Sequence, residues 1–394
     1  MEAVRMKPEV VFPDKNLEAA VREALEKPQG LLTKEDLNRL EVLRATGREI
    51  EDLTEIGRCV NLTTLRLGDN RIADITPLVS LTNLDWLELN DNRISDITPL
   101  ASLTDLTTLT LWHNRIGDIA PLASLTSLRR LDLDDNRISD VTPLAPLANL
   151  TGLGLGENRI SDITPLASLT NLTTLSLRNN QISELTPLAS LTKLETLRIW
   201  YNQISDVTPL ATLTNLTGLY LDDNHISDIA PLATLTNLTG LYLDGQGDRG
   251  DSGFTQVLSD ISALASLTNL ETLYLDDNKI SDITSLASCT KLTQLDLNDN
   301  QISDVTPLAP LANLDWLELR NNRSSDISAL ASLTSLRRLD LWHNEVSDVL
   351  PLTSLPNLGW VCLGANPLSQ DSRTSHIATL KSRGIFVVLW AGFA

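Results

Sequence analysis

The sequence predicts an α/β solenoid, with parallel strands stacked along one face and short helical turns along the other. Three features predict it. Residues 62–357 of the 394-residue chain repeat in steps of 22, apart from one longer step. Each step holds a short apolar–polar alternation, the pattern of a half-buried strand. A link of that length is too long for a hairpin, so each copy wraps round and lays its strand parallel to the one before. Length alone suggests two or three domains, but a solenoid grows by adding units and needs no second core.

The elements follow in order. Residues 1–39 read as a helical cap, with one helix in NLEAAVREALEKP and another in TKEDLNRL. Residues 40–61 keep the 22-residue spacing in degenerate form, as a transitional coil. From Leu62 to Asn357 the pattern L-x-x-L-x-L-x-x-N-x-I-x-D-I-x-P-L-x-x-L-x-x recurs thirteen times. One copy is LDWLELNDNRISDITPLASLTD, Leu84 to Asp105. Twelve copies have 22 residues; the copy from Leu238 has 32, with residues 247–256 as the ten-residue insertion. Leucine holds the first, fourth and sixth positions in 38 of 39 places, Ile199 being the exception. This is the leucine-rich repeat signature. Residues 358–394 close the array as a C-terminal cap. A strand starts at Leu358, SQDSRTSHIATLKSRG reads as a helix ended by Gly384, and IFVVLW as a last strand. Asp371, Thr374 and Ser375 are all candidates to cap that helix.

Each fixed position has a physical reason. The leucines of x-L-x-L-x point inward from a short strand. The ninth position is Asn in twelve copies, where a buried amide can bond backbone groups of adjacent coils. The thirteenth is acidic in all thirteen, as twelve Asp and Glu184. It stands ahead of a proline-started turn, so it is expected to be an N-cap. DITPLASL is too short for a long helix, so a 3₁₀ or single-turn helix is expected on the outer side. These carboxylates are scaffold, and the net charge of −20 overstates the functional acidity. Cys59 and Cys289 fall at buried leucine positions and read as small apolar fillers.

The repeat resembles the bacterial internalin type of leucine-rich repeat, which is similar to the short-repeat class that includes a eukaryotic phosphatase regulator. The resemblance covers Leu62 to Asn357 closely and the caps loosely. It implies a right-handed horseshoe with a parallel sheet on its concave face, and protein binding on that face.

Composition narrows the partners. With 51 acidic residues against 31 basic, the charge balance argues against nucleic acid as a partner, since phosphate neutralisation needs basic patches. No apolar run approaches the length of a membrane span. The opening MEAVRMKPEVVFPDKN lacks an apolar signal-peptide core. That leaves two compartments open, the cytoplasm or the outside of the cell with a leader removed. No nucleophile elbow, phosphate loop or zinc spacing is present. His113 and His343 both stand in LWHN, ten coils apart, and His225 and His376 are isolated, so no catalysis is expected.

The third, fifth, seventh and eighth positions vary from copy to copy and are expected to face outward from the strands. They hold ten of the eleven Trp and Tyr residues: Trp86, Trp112, Trp200, Trp316, Trp342, Trp360, Tyr201, Tyr220, Tyr242 and Tyr274. Only Trp390, in the C-terminal cap, lies elsewhere. From Thr64 to Ala365 these positions hold 16 acidic and 6 basic residues. Aromatic residues dominate binding hot spots. The alternative is that they only shield the sheet face, stacking on neighbours about 4.8 Å away. The contrast with invariant positions in the same chain favours a binding surface.

The sharpest cluster is central. Tyr220, Tyr242 and Tyr274 should form one column and Asp222, Asp244 and Asp276 the next, with Asp223 and Asp277 beside it and Trp200 and Tyr201 one coil earlier. Such columns suit Arg or Lys side chains, through charge pairing and cation–π contact. Trp316, Trp342 and Trp360, with Arg320 and Arg338, form a second patch. Calcium at the aspartates is the lesser alternative, because ligands fixed on rigid strands converge poorly.

The insertion, in LDGQGDRGDSGF, follows Gln246, which stands in the asparagine position. Gly245, Gly247, Gly250 and Gly253 suggest a flexible loop at the rim, beside the tyrosines. Its Arg249-Gly250-Asp251 matches a cell-adhesion tripeptide, which chance alone would place in roughly one chain in fifteen. The sequence therefore reads as a monomeric, non-catalytic module without cofactor or metal, binding a basic protein or peptide. The alternatives are adhesion through the loop tripeptide and a passive structural spacer.

Overall fold

The computed structural model describes residues 9–250 and 253–389. The chain forms two compact units, Met1–Ile182 and Ser183–Ala394.

The first unit opens with a helix, Lys15–Ala24, that buries Leu17, Ala20 and Val21. Asp14 caps it, one carboxylate oxygen accepting the Asn16 and Leu17 amides. The other oxygen accepts the amides of Glu51 and Asp52, which ties the helix to the first coil. A short helix, Lys34–Leu37, follows with a reciprocal capping box between Thr33 and Asp36. Parallel strands then stack in chain order from Val42–Arg44 to Thr174–Ser176. Registers advance by one repeat, with Leu43 opposite Leu65 and Leu65 opposite Leu87.

The second unit stacks nine parallel strands the same way, from Thr196–Arg198 to Phe386–Val388. The stacked strands are three residues long in both units, and those of the repeats cover its third to fifth positions. The leucines are fully buried and form the core. On the opposite side, 3₁₀ turns such as Thr76–Ser80 and Thr208–Thr212 carry the proline near their start, as expected.

The acidic thirteenth position works differently from the expected N-cap. The residue next to the turn is Ile75, and Asp74 lies one step further upstream, accepting the Thr76 amide at 2.8 Å. All twelve aspartates at this position make that bond. The Thr76 hydroxyl and amide hold the Asp74 carboxyl below its usual range. An aspartate bonding the amide two residues on is an Asx turn, which the sequence pattern does not separate from a cap.

The asparagine ladder forms as predicted. Asn92 donates to the carbonyls of Leu67, Leu89 and Asn90, and its Oδ1 accepts the Ile72 amide. A second ladder on the outer side was not foreseen: Ser102 Oγ bonds the Val79 carbonyl, and Asn83 Nδ2 the Val60 carbonyl. Cys59, Cys289 and Cys362 are buried and unpaired.

Two local expectations are corrected. Asp371, Thr374 and Ser375 all lie within the C-terminal helical segment and none caps it. The capping contact comes from Ser369, whose hydroxyl accepts the Ser372 amide. The insertion is a β-hairpin instead of an irregular loop. Gly247–Gly250 pairs antiparallel with Gly253–Gln256, Arg249 opposite Phe254. Its glycines bound two four-residue strands separated by two residues, which is hairpin spacing. Trp390 lies outside the described residues.

The hairpin's base is firmly held. Gln246 is fully buried, its amide bonding the Leu221 and Asp244 carbonyls and the Ile226 amide. His225 donates from Nδ1 to the Gly247 carbonyl at 2.6 Å. The Val257 amide bonds the Gln246 carbonyl at 2.9 Å, so the two ends of the insertion meet. Deleting residues 247–256 is therefore expected to preserve the coil, with the melting temperature within a few degrees of the parent. Thermal denaturation followed by circular dichroism checks this; a collapse in stability would show that the hairpin supports the array.

Candidate ligand-binding face

Backbone accounting explains what sits along the sheet face. Sixth-position amides bond the next coil's fifth carbonyl, and eighth-position amides bond its seventh, as Leu221 to Tyr242 and Asp223 to Asp244. The seventh amide falls between and needs a side-chain acceptor. Asp222 Oδ1 accepts the Asp244 amide at 3.3 Å, and Asp244 Oδ1 accepts the Asp276 amide at 2.9 Å. In the next coil the fifth position takes over, Asp296 Oδ1 accepting the Asn298 amide at 2.9 Å. The aspartate column is thus real, and part of its carboxylate capacity is spent on the scaffold.

The tyrosines form the expected column, Tyr242 lying in register with Tyr220 on one side and Tyr274 on the other. They belong to a longer ladder of rings. Trp200 meets Tyr220 edge-on at 5.9 Å, Tyr220 stacks on Tyr242 at 4.3 Å, and Tyr242 meets Tyr274 edge-on at 5.0 Å. Tyr274 then contacts Trp316 at 5.6 Å, tilted by 46°. This last contact joins the two patches that the sequence kept apart. Guanidinium groups lie over rings at both ends: Arg198 over Tyr220, Arg320 over Trp342 and Arg338 over Trp360.

The ring and carboxylate columns shift together. Ring and acid stand two residues apart in Tyr220/Asp222, Tyr242/Asp244 and Tyr274/Asp276, and again in Trp316/Glu318, one pleat earlier on the strand. Between them Gln294/Asp296 keeps the acid without the ring. Asp296 and Glu318 therefore continue the stripe, and Arg338 neutralises Glu318 at 2.9 Å. Neither acid was singled out from the sequence; the repeated aromatic-x-acid triplet was the signal.

Burial raises the carboxylates. It pushes Asp222 up to about 6, against the Asp244 amide that holds it down. Asp296 is pushed up to about 7 by burial, with Asp276, Glu318 and Asp299 adding repulsion. Asp244 and Asp276 hydrogen-bond to each other and both are raised, by burial first and then by neighbouring carboxylates. Burial also pushes the Tyr242 hydroxyl up to about 12.

The eighth position carries a backbone constraint as well. It is a left-handed turn after the strand, with φ of 52° at Tyr201, 51° at Asp223 and 53° at Asp277. Asp, Asn and His tolerate that conformation, which accounts for most residues found there. Tyr201 is 49% exposed on this turn. Trp86 and Trp112 lie in the first unit with local partners. Arg66 sits over Trp86, and Trp112, 37% exposed, stacks on His113. Arg249 and Gly250 lie in the first hairpin strand, and Asp251 lies outside the described residues. Among the described residues, no three His, Cys, Asp or Glu side chains are placed to hold a metal ion. No helix there is long and apolar enough to cross a membrane.

Comparison with known proteins adds the family context. A family model described as a leucine-rich repeat region matches residues 110–363, and one for two copies of the repeat matches residues 82–124. No curated protein matches. Among solved structures, an internalin of Listeria monocytogenes is 37% identical with a TM-score of 0.79, covering 84% of this chain and 95% of its own. A leucine-rich repeat protein of Leptospira interrogans has a TM-score of 0.79 at 22% identity, covering 90% and 97%. The ectodomain of an Arabidopsis thaliana receptor kinase, solved in complex with CASPARIAN STRIP INTEGRITY FACTOR 2, has a TM-score of 0.70 at 24% identity, covering 86% and 43%. These last two likenesses concern the fold alone.

Proposed function

Since this chain belongs to the internalin-like leucine-rich repeat family, we propose that it is a binding module whose sheet face captures a protein or peptide bearing basic groups. A receptor-kinase ectodomain of similar fold is solved in complex with CASPARIAN STRIP INTEGRITY FACTOR 2. The observation that carries the proposal is the ladder from Trp200 to Trp316, flanked by the carboxylates Asp222, Asp244, Asp276 and Asp296. Rings beside carboxylates suit guanidinium and ammonium groups, which take charge-assisted bonds from one and a cation–π contact from the other. A face meant only to shield the sheet has no need of partly desolvated like charges.

Changing Tyr220, Tyr242 and Tyr274 together to alanine removes three ring contacts worth about 1 kcal/mol each. Affinity for a partner captured from the source organism is expected to fall by roughly a hundredfold or more, with the fold intact. Surface plasmon resonance on the captured partner measures it. Unchanged capture by this variant, together with loss on Asp251→Ala, would move the function to the hairpin.

A further inference from the structure

We infer that the stripe beside the ring ladder takes a proline-rich segment in the polyproline II conformation, with two Arg or Lys side chains three residues apart. This rests on the basic-partner proposal above and adds the ligand's conformation and spacing.

The argument begins with two repeats that must match. Coils stack at about 4.8 Å, so carboxylates two coils apart are about 9.6 Å apart along the stripe. Asp222 and Asp276 are two coils apart in one column, with Asp244 between them. Polyproline II rises about 3.1 Å per residue with three residues per turn, so positions i and i+3 face the same way about 9.3 Å apart. An extended strand repeats its same-side residues at about 6.7 Å and falls out of step with the carboxylates.

The rings supply the second half. Tyr242 and Tyr274 meet at 77°, and Tyr274 and Trp316 at 46°. Angled junctions open wedges that a pyrrolidine ring can fill, and aromatic grooves are the usual platform for this conformation. The Tyr220–Tyr242 junction, at 11°, is closed by stacking. Proline contact is therefore centred on Tyr274, with the carboxylates alongside. A polyproline II chain carries no internal hydrogen bonds and little conformational freedom, so docking it costs less ordering entropy than docking a flexible chain.

Charges at the ends set the number of cations. Arg198 lies over Tyr220 on one side, and Glu318 is already paired with Arg338 on the other. A third cation three residues further on would reach Glu318 and meet that arginine. The free stripe accommodates two.

The test uses the full chain and capped synthetic octapeptides at low salt and pH 8, followed by calorimetric titration. PPRPPRPP is compared with PPRPRPPP and PRPPPPRP, which change the spacing, and with GGRGGRGG, which removes the polyproline II bias. The first is expected to bind at least tenfold more tightly than each of the others, and extension to a third arginine to gain less than threefold. Equal binding by all the arginine peptides would overturn the inference and leave the basic-partner proposal standing. Tighter binding of GGRGGRGG would overturn it in the same way. Binding by none of them overturns both. A variant with Asp222, Asp244, Asp276 and Asp296 changed to Asn is expected to lose the preference for three-residue spacing; a preference unchanged in that variant would place the peptide elsewhere and overturn the inference.

Discussion

Replacing Asn278 with alanine is expected to destabilise the second unit by about 3–5 kcal/mol. Its side chain is fully buried. Its amide nitrogen donates to the carbonyls of Leu243, Leu275 and Asp276 at 3.0–3.1 Å, and its oxygen accepts the Gln246 amide. Alanine would leave these groups buried without partners, and an orphaned buried polar group costs about 1–3 kcal/mol. Water cannot enter where leucines pack on both sides. Asn269→Ala is the control, since it also removes a bond between coils, to the Thr236 carbonyl, but at an exposed site. That change is expected to cost less than about 1 kcal/mol. Urea denaturation of the three proteins decides the matter. Equal midpoints for the two variants would mean that the inner ladder contributes no more than the outer one.

The comparison also shows why some features were legible. Leu65, Asn92 and Asp74 stand at positions that few residue types can fill, because burial, a four-bond amide and a turn acceptor are narrow requirements. Strict requirements recur at fixed spacing, so the strands, the core and the tyrosine column followed from counting. Features that depend on a choice between neighbours did not. The turn aspartates bond two residues ahead, and only the backbone angles of Ile75 separate that from a cap. Ser369 caps the last helix because the chain turns helical earlier than its apolar pattern indicates. At the eighth position a positive φ limits the choice of residue, a constraint that the pattern of variation does not reveal. The stripe's extension through Asp296 and Glu318 was hidden by the one-pleat shift, which column-by-column comparison of the copies does not detect.

Changing Asp222, Asp244, Asp276 and Asp296 together to asparagine is expected to stabilise the protein at neutral pH while lowering affinity for a basic ligand by roughly a thousandfold. The stability sign follows from the raised carboxyls. An Asp held near 6 or 7 when folded, as Asp222 and Asp296 are, and near 3.9 when unfolded binds its proton more tightly in the fold. Its stabilising contribution is complete below about pH 4 and is lost as pH rises through the folded values. The parent should therefore lose stability between about pH 4 and 7 relative to the variant. The difference should reach about 2–4 kcal/mol by pH 8, reduced by solvent screening, and widen further above it, because Asp244 is raised to about 9. Asparagine keeps the oxygens that accept the amides of residues 244, 276 and 298, so the scaffold role survives. Binding runs the other way. A cationic ligand needs the ionised carboxylates, so parent affinity should rise from pH 5 to 8 with release of protons, and the variant should show neither effect. Charge-assisted bonds of about 1.5–3 kcal/mol each set the size of the loss, even if only two are made. Melting temperature from pH 4 to 9, and titration with PPRPPRPP in buffers of different ionisation enthalpy, test both halves. A parent–variant stability difference independent of pH would contradict the first, and proton-silent binding the second. Carboxylates held above their ordinary range, where asparagine would serve the same amides, support the proposed use of their charge by a ligand.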